Sequence, residues 1–312
     1  MTPVAGAWSN RVHRLETTAR AYAVKELLDP WGEERFSERL AEAWDVEQAA
    51  IAAGVAAPEP VAAPGGGPVA EVARGGGPDA LVRVHRWAPG TPAGAGPVAA
   101  EIADWAGGVL ARLHGMGRRP RDRGVFPVPD AAVAREWPRL ADAAARAEMP
   151  WAAAFRAALP DVETIARLVQ AGGHRPADEV MSHADVDQKN VILGPSGPLL
   201  CDWDVASPVL PRRELADAAL SLAGWEHRRI AQIVVAAYGA AGGDVPDFVP
   251  EDVGASLATS LDWIALNAEC ALGLRPARPG RRELADEILP PLLDELPRHV
   301  EVALDVGRML TV

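Results

Sequence analysis

Residues 180–204 read VMSHADVDQKNVILGPSGPLLCDWD. A loop, a short apolar strand, a GPSGP turn and a second short strand follow one another, which is the pattern of a hairpin. On it, His183, Asp185 and Asn190 form H-x-D-x-x-x-x-N, and Asp202 comes twelve residues after Asn190. A buried acid beside apolar strands needs a partner, because an unpaired charge out of water is costly. Several polar groups converging on one hairpin therefore point to a metal or a proton-transfer role. Two aspartates and an asparagine carbonyl make an all-oxygen set, which suits Mg²⁺ with its waters and phosphate oxygens. The stretch offers no thiolate set and no histidine pair at metal spacing, which argues against zinc.

Outward from this hairpin the chain changes character twice. Near the start, Arg11–Leu15 and Ala21–Leu27 alternate as two strands, with Glu16–Arg20 as a polar turn and Gly6, Ser9 and Asn10 in a loop before them. Residues 34–53 predict a helix, with Leu40, Trp44, Glu47 and Ile51 at helical spacing and Gly54 as its stop. A Pro/Gly-rich passage from Pro58 to Pro78 leaves room for a short strand at Pro68–Arg74. Ala80–Trp87 is β-prone, and Ala88–Pro97 breaks it. Helical patterns then cover residues 98–114, residues 130–171 with breaks near Pro150 and Pro160, and most of the chain after the hairpin. The expected architecture is α+β: a small β-rich lobe over 1–87, a connection near 82–90, and a larger, mostly helical lobe over 91–312. No repeat of 20–50 residues is present.

Composition narrows the function. The 312 residues suit two lobes. The 49% hydrophobic and 24% charged content is that of a globular protein and excludes wholesale disorder. Two cysteines, Cys201 and Cys270, exclude a disulfide scaffold. No apolar run is long enough to span a membrane, and the first residues lack a signal-peptide pattern, so the expectation is a cytoplasmic protein. A net charge of −12 argues against nucleic acid as the partner and is compatible with a cationic small molecule. Only Lys25 and Lys189 are lysines, against 29 arginines. A lysine kept under such a bias marks a place where a compact point charge is needed.

The motif resembles the catalytic and metal-binding segments of the aminoglycoside phosphotransferase (antibiotic kinase-like) family, small-molecule relatives of protein kinases. Four other segments fit in the expected order. AGAWSNRVHRL resembles the nucleotide loop, AYAVKEL the strand bearing the ATP lysine, the helix around Glu47 the one whose glutamate pairs with that lysine, and VLARLH the helix opening the larger lobe. The resemblance implies a bilobal protein-kinase-like fold and a role for each residue. Asp185 is the catalytic base, and His183 braces its loop. Asn190 and Asp202 hold Mg²⁺. Lys25, positioned by Glu47, contacts the phosphates of ATP (or GTP), with Ser9 and Asn10 covering them. The segment Val82–Trp87, with Val84 and His85 at its centre, offers backbone groups to adenine. Ala184 stands where the family usually has Gly or Arg, and one clear glycine replaces the G-x-G-x-x-G of protein kinases.

The acceptor site is expected between the catalytic loop and the C-terminal helices. SLDWIALNAEC (260–270) is the candidate wall: Asp262 and Glu269 share a helix face, and Asn267 lies between them. Asp187, Asp204, Glu214, Asp217 and Glu226 are further candidates. The expected function is ATP/Mg²⁺-dependent phosphorylation of a hydroxyl on a small cationic molecule, such as an aminoglycoside or basic peptide antibiotic, by a monomer or homodimer. The alternatives are a metabolic or macrolide kinase of the same fold, and a nucleotide-binding regulatory module without turnover.

Overall fold

The computed structural model describes residues 1–4, 10–28, 35–73, 79–128, 130–276 and 280–312. The N-terminal part holds β1 (Thr2–Val4), β2 (Asn10–Glu16), β3 (Ala21–Leu27), α1 (Phe36–Ala52), β4 (Pro60–Val61), β5 (Ala70–Val72) and β6 (Ala80–Arg86). These strands form one antiparallel sheet in the order β1-β2-β3-β6-β4, with β5 also on β6. The alternation at 11–15 and 21–27 becomes the β2–β3 hairpin. Thr17 closes its turn, with its hydroxyl bonded to the Arg20 carbonyl at 2.8 Å. β1 was not expected: three residues carry no readable alternation, and Thr2–Val4 gains its strand state by pairing with Val12–Arg14.

α1 starts and stops close to the predicted limits, yet its buried stripe is rotated. Leu40, Ala43, Val46, Glu47 and Ala50 are buried, while Trp44 and Ile51 lie at the stripe's edge. That face meets the Trp203–Val205 turn, with Glu47 reaching Arg83 on β6.

The remainder is mostly helical. β7 (Thr91–Pro92), α2 (Ala100–Gly115), α3 (Val133–Arg146), α4 (Ala152–Ala157) and α5 (Leu159–Gly172) precede the motif region. The motif region itself holds β8 (Val180–Ser182), β9 (Val191–Gly194), β10 (Gly197–Leu200) and β11 (Ser207–Val209). Then come α6 (Pro211–Leu222), α7 (Arg228–Ala240), α8 (Gly254–Ala271), α9 (Arg281–Leu304) and α10 (Val306–Leu310). The expected break at Pro160 falls at Ala158 instead. Pro160 sits in the first turn of α5, where its missing N–H leaves nothing unpaired.

The core runs through α2, α5, α6, α7, α8 and α9. α2 and α7 touch backbone to backbone at Gly107, where a Cβ would lie 2.3 Å from the Val234 carbonyl oxygen. The predicted hairpin is β9–β10, with Val191 opposite Leu200. β7 adds to β9, so the chain joins this second sheet immediately after leaving β6. Gly90 makes the crossing, with no room for a Cβ against Leu193 and Ile192. That crossing brings the end of β6 and the motif hairpin to one junction.

Candidate active site

The loop that carries the motif runs from β8 through a short 3₁₀ turn at Gln188–Asn190 into β9. His183 is fully buried and packs edge-on against Trp203, 4.7 Å between ring centres. Its Nδ1 accepts the Asp185 N–H at 3.3 Å, and Nε2 donates to the Cys201 carbonyl at 3.0 Å. The imidazole thus ties the loop to the end of β10. Asn190 adds two bonds from Nδ2, to the Asp185 carbonyl at 2.9 Å and to Asp185 Oδ2 at 2.8 Å. Lys189 Nζ takes the other carboxylate oxygen, Asp185 Oδ1, at 2.9 Å. A side chain held from both oxygens is oriented before any ligand arrives.

Two non-glycine residues here have left-handed backbones: Ala184 at φ 64° and Asp202 at φ 67°. Such residues persist only where their surroundings over-determine them. For Ala184 the restraint is Glu214 on α6, fully buried, whose Oε1 accepts the Ala184 N–H at 2.6 Å. Glu214 Oε2 accepts from His114 Nε2 at 2.6 Å, and His114 Nδ1 faces the Tyr238 hydroxyl at 3.0 Å. Burial alone would raise the Glu214 pKa, but His114 and the Ala184 N–H outweigh it and hold the carboxyl below its ordinary value. Glu214 therefore braces the loop from beneath.

Lys25 on β3 reaches the end of β10. Its Nζ lies 2.5 Å from Asp202 Oδ1 and 2.5 Å from Asp204 Oδ2. Burial works against its charge, but the two carboxylates overcome that and hold the ammonium above its usual pKa. The expected Lys25–Glu47 pair is replaced. Arg83, fully buried and opposite Lys25 in the β3–β6 register, pairs through its guanidinium with both Glu47 and Asp204. Glu47 also accepts from His85 Nε2 at 2.9 Å. The cause is the register: Arg83 on β6 lies where its fork meets Glu47 and Asp204 together, while Lys25 on β3 ends between Asp202 and Asp204. A continuous ionic chain, Glu47–Arg83–Asp204–Lys25–Asp202, thus links α1 to the end of β10. Asp204 sits between two cations, which outweigh the effect of its burial and keep it well below the usual carboxylate range.

Val84 and His85 do not offer free backbone. β6 is flanked by β3 and β4 through both residues, and Arg86 N–H and Trp87 N–H are bonded to Glu59 and Ala21. The unpaired stretch begins at Ala88, where the β6–β7 crossing starts. Asn10 opens β2, and its Oδ1 accepts the Leu28 N–H at 3.3 Å, closing the mouth of the β2–β3 hairpin. Ser9 lies outside the described residues.

The α8 segment does not gather at the loop. Asp262 lies near Asp130, and burial with that charge pushes its carboxyl up to about 6. Asn267 is fully buried and donates to the Trp263 carbonyl, and Glu269 pairs with Arg275. Glu226 pairs with Arg298 and His227. The acids at the loop are Asp187 and Asp217. Asp187 Oδ1 caps the 3₁₀ turn through the Lys189 N–H. Asp217 accepts from Ser256 on α8 at 2.5 Å, and burial, with the nearby Asp185 and Asp187, raises its carboxyl to about 6. Arg83 left one trace in sequence: it interrupts the apolar run of Ala80–Val84 with a charge.

Asn190 and Asp202 have the donor chemistry for a hard divalent cation. Asn190 spends its Nδ2 on Asp185, which leaves its amide oxygen for a ligand. Asp202 has a side chain 42% exposed, so a carboxylate oxygen remains accessible beside Lys25.

The model of the phosphotransferase enzyme family matches residues 1–249 of this chain. The chain belongs to that family. Solved structures of the family's fold align over nearly the whole chain. A spectinomycin phosphotransferase, solved with ADP and spectinomycin, matches at 14% identity and TM-score 0.63, covering 99% of this chain and 93% of its own. An aminoglycoside phosphotransferase from Alicyclobacillus acidocaldarius matches at 16% identity and TM-score 0.59, over 99% and 93%. A microcompartment-associated aminopropanol kinase matches at 15% identity and TM-score 0.62, over 95% and 91%. Identities this low show the shared fold. Among curated proteins, none matches the chain in sequence. Among the described residues, no helix is long and apolar enough to cross a membrane.

Proposed function

We propose that the protein is a cytoplasmic ATP- and Mg²⁺-dependent O-phosphotransferase for a hydroxyl of a small, amine-bearing molecule. Residues 1–87 form its nucleotide lobe and 91–312 its catalytic and acceptor lobe. One observation carries the reading: Asp185 is held from both carboxylate oxygens on a loop bonded to the strand end where Lys25 meets Asp202.

In this reading Asp185 accepts the acceptor's hydroxyl proton and aims its oxygen at the γ-phosphorus. Lys25 leaves Asp202 for the nucleotide phosphates while Asp204 keeps hold of it. Mg²⁺ on Asn190 and Asp202 would neutralise charge on the phosphate oxygens. His183 and Glu214 keep the loop in place, so catalysis is mainly positioning and electrostatics.

The acceptor's class follows from charge. Asp187 and Asp217 lie beside the base and give this side of the loop an excess of carboxylates; burial, more than that crowding, raises the Asp217 carboxyl. Such a surface attracts a cation. An aminoglycoside or basic peptide antibiotic fits, which would make this a resistance or self-protection enzyme. A small amino alcohol is the second reading, favoured by the likeness to the aminopropanol kinase.

The test is phosphate transfer from [γ-³²P]ATP-Mg²⁺ to a panel of aminoglycosides, peptide antibiotics, macrolides and amino alcohols, with Asp185→Ala alongside. Labelling of one amine class by the wild type, lost in the variant, is the expected result. Nucleotide binding with no turnover on any acceptor would favour a regulatory module. Absence of ATP-Mg²⁺ binding would refute the reading.

A further inference from the structure

Lys189 is one of two lysines in a chain with 29 arginines. Its Nζ donates to Asp185 Oδ1 at 2.9 Å and to Asp187 Oδ2 at 3.1 Å. Asp187 Oδ1 also accepts the Lys189 backbone N–H at 3.1 Å, so one carboxylate fixes both ends of the residue. The side chain is 60% exposed, so the arm lies on the loop's open surface.

A hydroxyl poised on Asp185 stands about 2.6–3.2 Å from that carboxylate, and its oxygen is the atom that bonds to phosphorus. An ammonium on the same carboxylate therefore lies beside the reacting oxygen, on an exposed arm free to turn. The geometry points to Lys189 as a catalytic residue that donates from Nζ to the phosphoryl group in transfer, with Asp187 holding the arm beside the base between turnovers. This rests on the phosphotransferase reading above.

In the step, the bond from the acceptor oxygen to the γ-phosphorus forms as the bond from that phosphorus to the β,γ-bridging oxygen breaks. ADP leaves with the electron pair, the hydroxyl proton passes to Asp185, and Lys189 stays protonated throughout. Charge balance calls for such a cation. With Lys25 drawn to the nucleotide phosphates, Asp185 and Asp187 are the carboxylates left at the loop, and Lys189 is the cation bonded to both. A compact ammonium can swing between a carboxylate and a phosphoryl oxygen more readily than a planar guanidinium. A contact made only during transfer raises kcat and leaves nucleotide binding alone.

Lys189→Met and Lys189→Arg test this. The readouts are kcat for transfer to the acceptor the wild type labels, ATP hydrolysis to water, AMP-PNP affinity by calorimetry, and Tm. Lys189→Met is expected to lower kcat about 10–100-fold with AMP-PNP affinity changed less than about threefold, as for loss of one transition-state donor. Tm should stay at the wild-type value, and Lys189→Arg should restore part of the rate. A Lys189→Met kcat within about twofold of wild type overturns the inference and leaves the phosphotransferase standing, and so does a loss seen wholly in nucleotide affinity. A wild type that transfers phosphate neither to any acceptor nor to water removes both.

Discussion

Arg83→Met should unfold this protein more readily than Lys25→Met, although Lys25 is the residue expected to handle ATP. The reason lies in what each leaves behind. Arg83 and Glu47 are both fully buried, and without the guanidinium Glu47 keeps only His85. Removing one partner of a buried ion pair strands the other charge, which costs about 3–5 kcal/mol. Removing Lys25 leaves Asp204 on Arg83 and leaves Asp202 partly in water, 42% exposed. That loss should be about 1 kcal/mol, because neither acid is stranded: Asp204 keeps Arg83 and Asp202 keeps water. At roughly 2.1 cal/mol/K per residue, a chain of 312 residues loses about 1.5 °C of Tm per kcal/mol. Arg83→Met should therefore melt about 5–8 °C below wild type, and Lys25→Met within about 2 °C of it. Thermal melting by circular dichroism reads both. Calorimetry with AMP-PNP should show the opposite ranking, with Lys25→Met binding nucleotide worst. Glu47→Leu added to Arg83→Met should recover part of the lost Tm, because it removes the stranded charge. The argument fails if Lys25→Met is the less stable variant, since Glu47 would then depend on Lys25 and not on Arg83.

Two further perturbations probe the brace and the acceptor side. Glu214→Gln keeps the shape but exchanges a carboxylate for an amide under Ala184 and His114. It should cost about 2–3 kcal/mol, as for hydrogen bonds to a charged group, and slow transfer at saturating ATP. An unchanged kcat would mean the left-handed turn at Ala184 holds without it. Asp217 has a folded-state pKa of about 6, raised from 3.8, so its contribution to stability falls as pH climbs through that window and stays low above it. Asp217→Asn should therefore melt above wild type at pH 7.5 and lose that advantage near pH 4, whereas a lower Tm at pH 7.5 would contradict the assigned direction.

Much of this was legible in the residues. His183, Asp185, Lys189 and Asn190 lie within eight residues, so a single loop conformation brings them together, and their types already state the chemistry. The β2–β3 and β9–β10 hairpins were equally local, each set by alternation or apolar runs around polar or Gly/Pro turns. Even the left-handed bend at Ala184 had a sign, since it falls where the family often carries glycine.

What depended on distance was not legible. A glutamate at 47 shows that α1 carries a buried acid, but its partner depends on which cation reaches across from the sheet. That was settled by the register placing Arg83 beside Lys25. Glu214 read as one more candidate for the acceptor site until α6 packed beneath the loop and gave it Ala184 and His114. The wall expected from Asp262 and Glu269 turned elsewhere, and Ser256, at the other end of the same helix, met Asp217 instead. Sequence spacing determines which side chains share a loop or a helix face. Which of those faces meet, and hence which buried charges pair, is decided by packing among elements far apart in the chain.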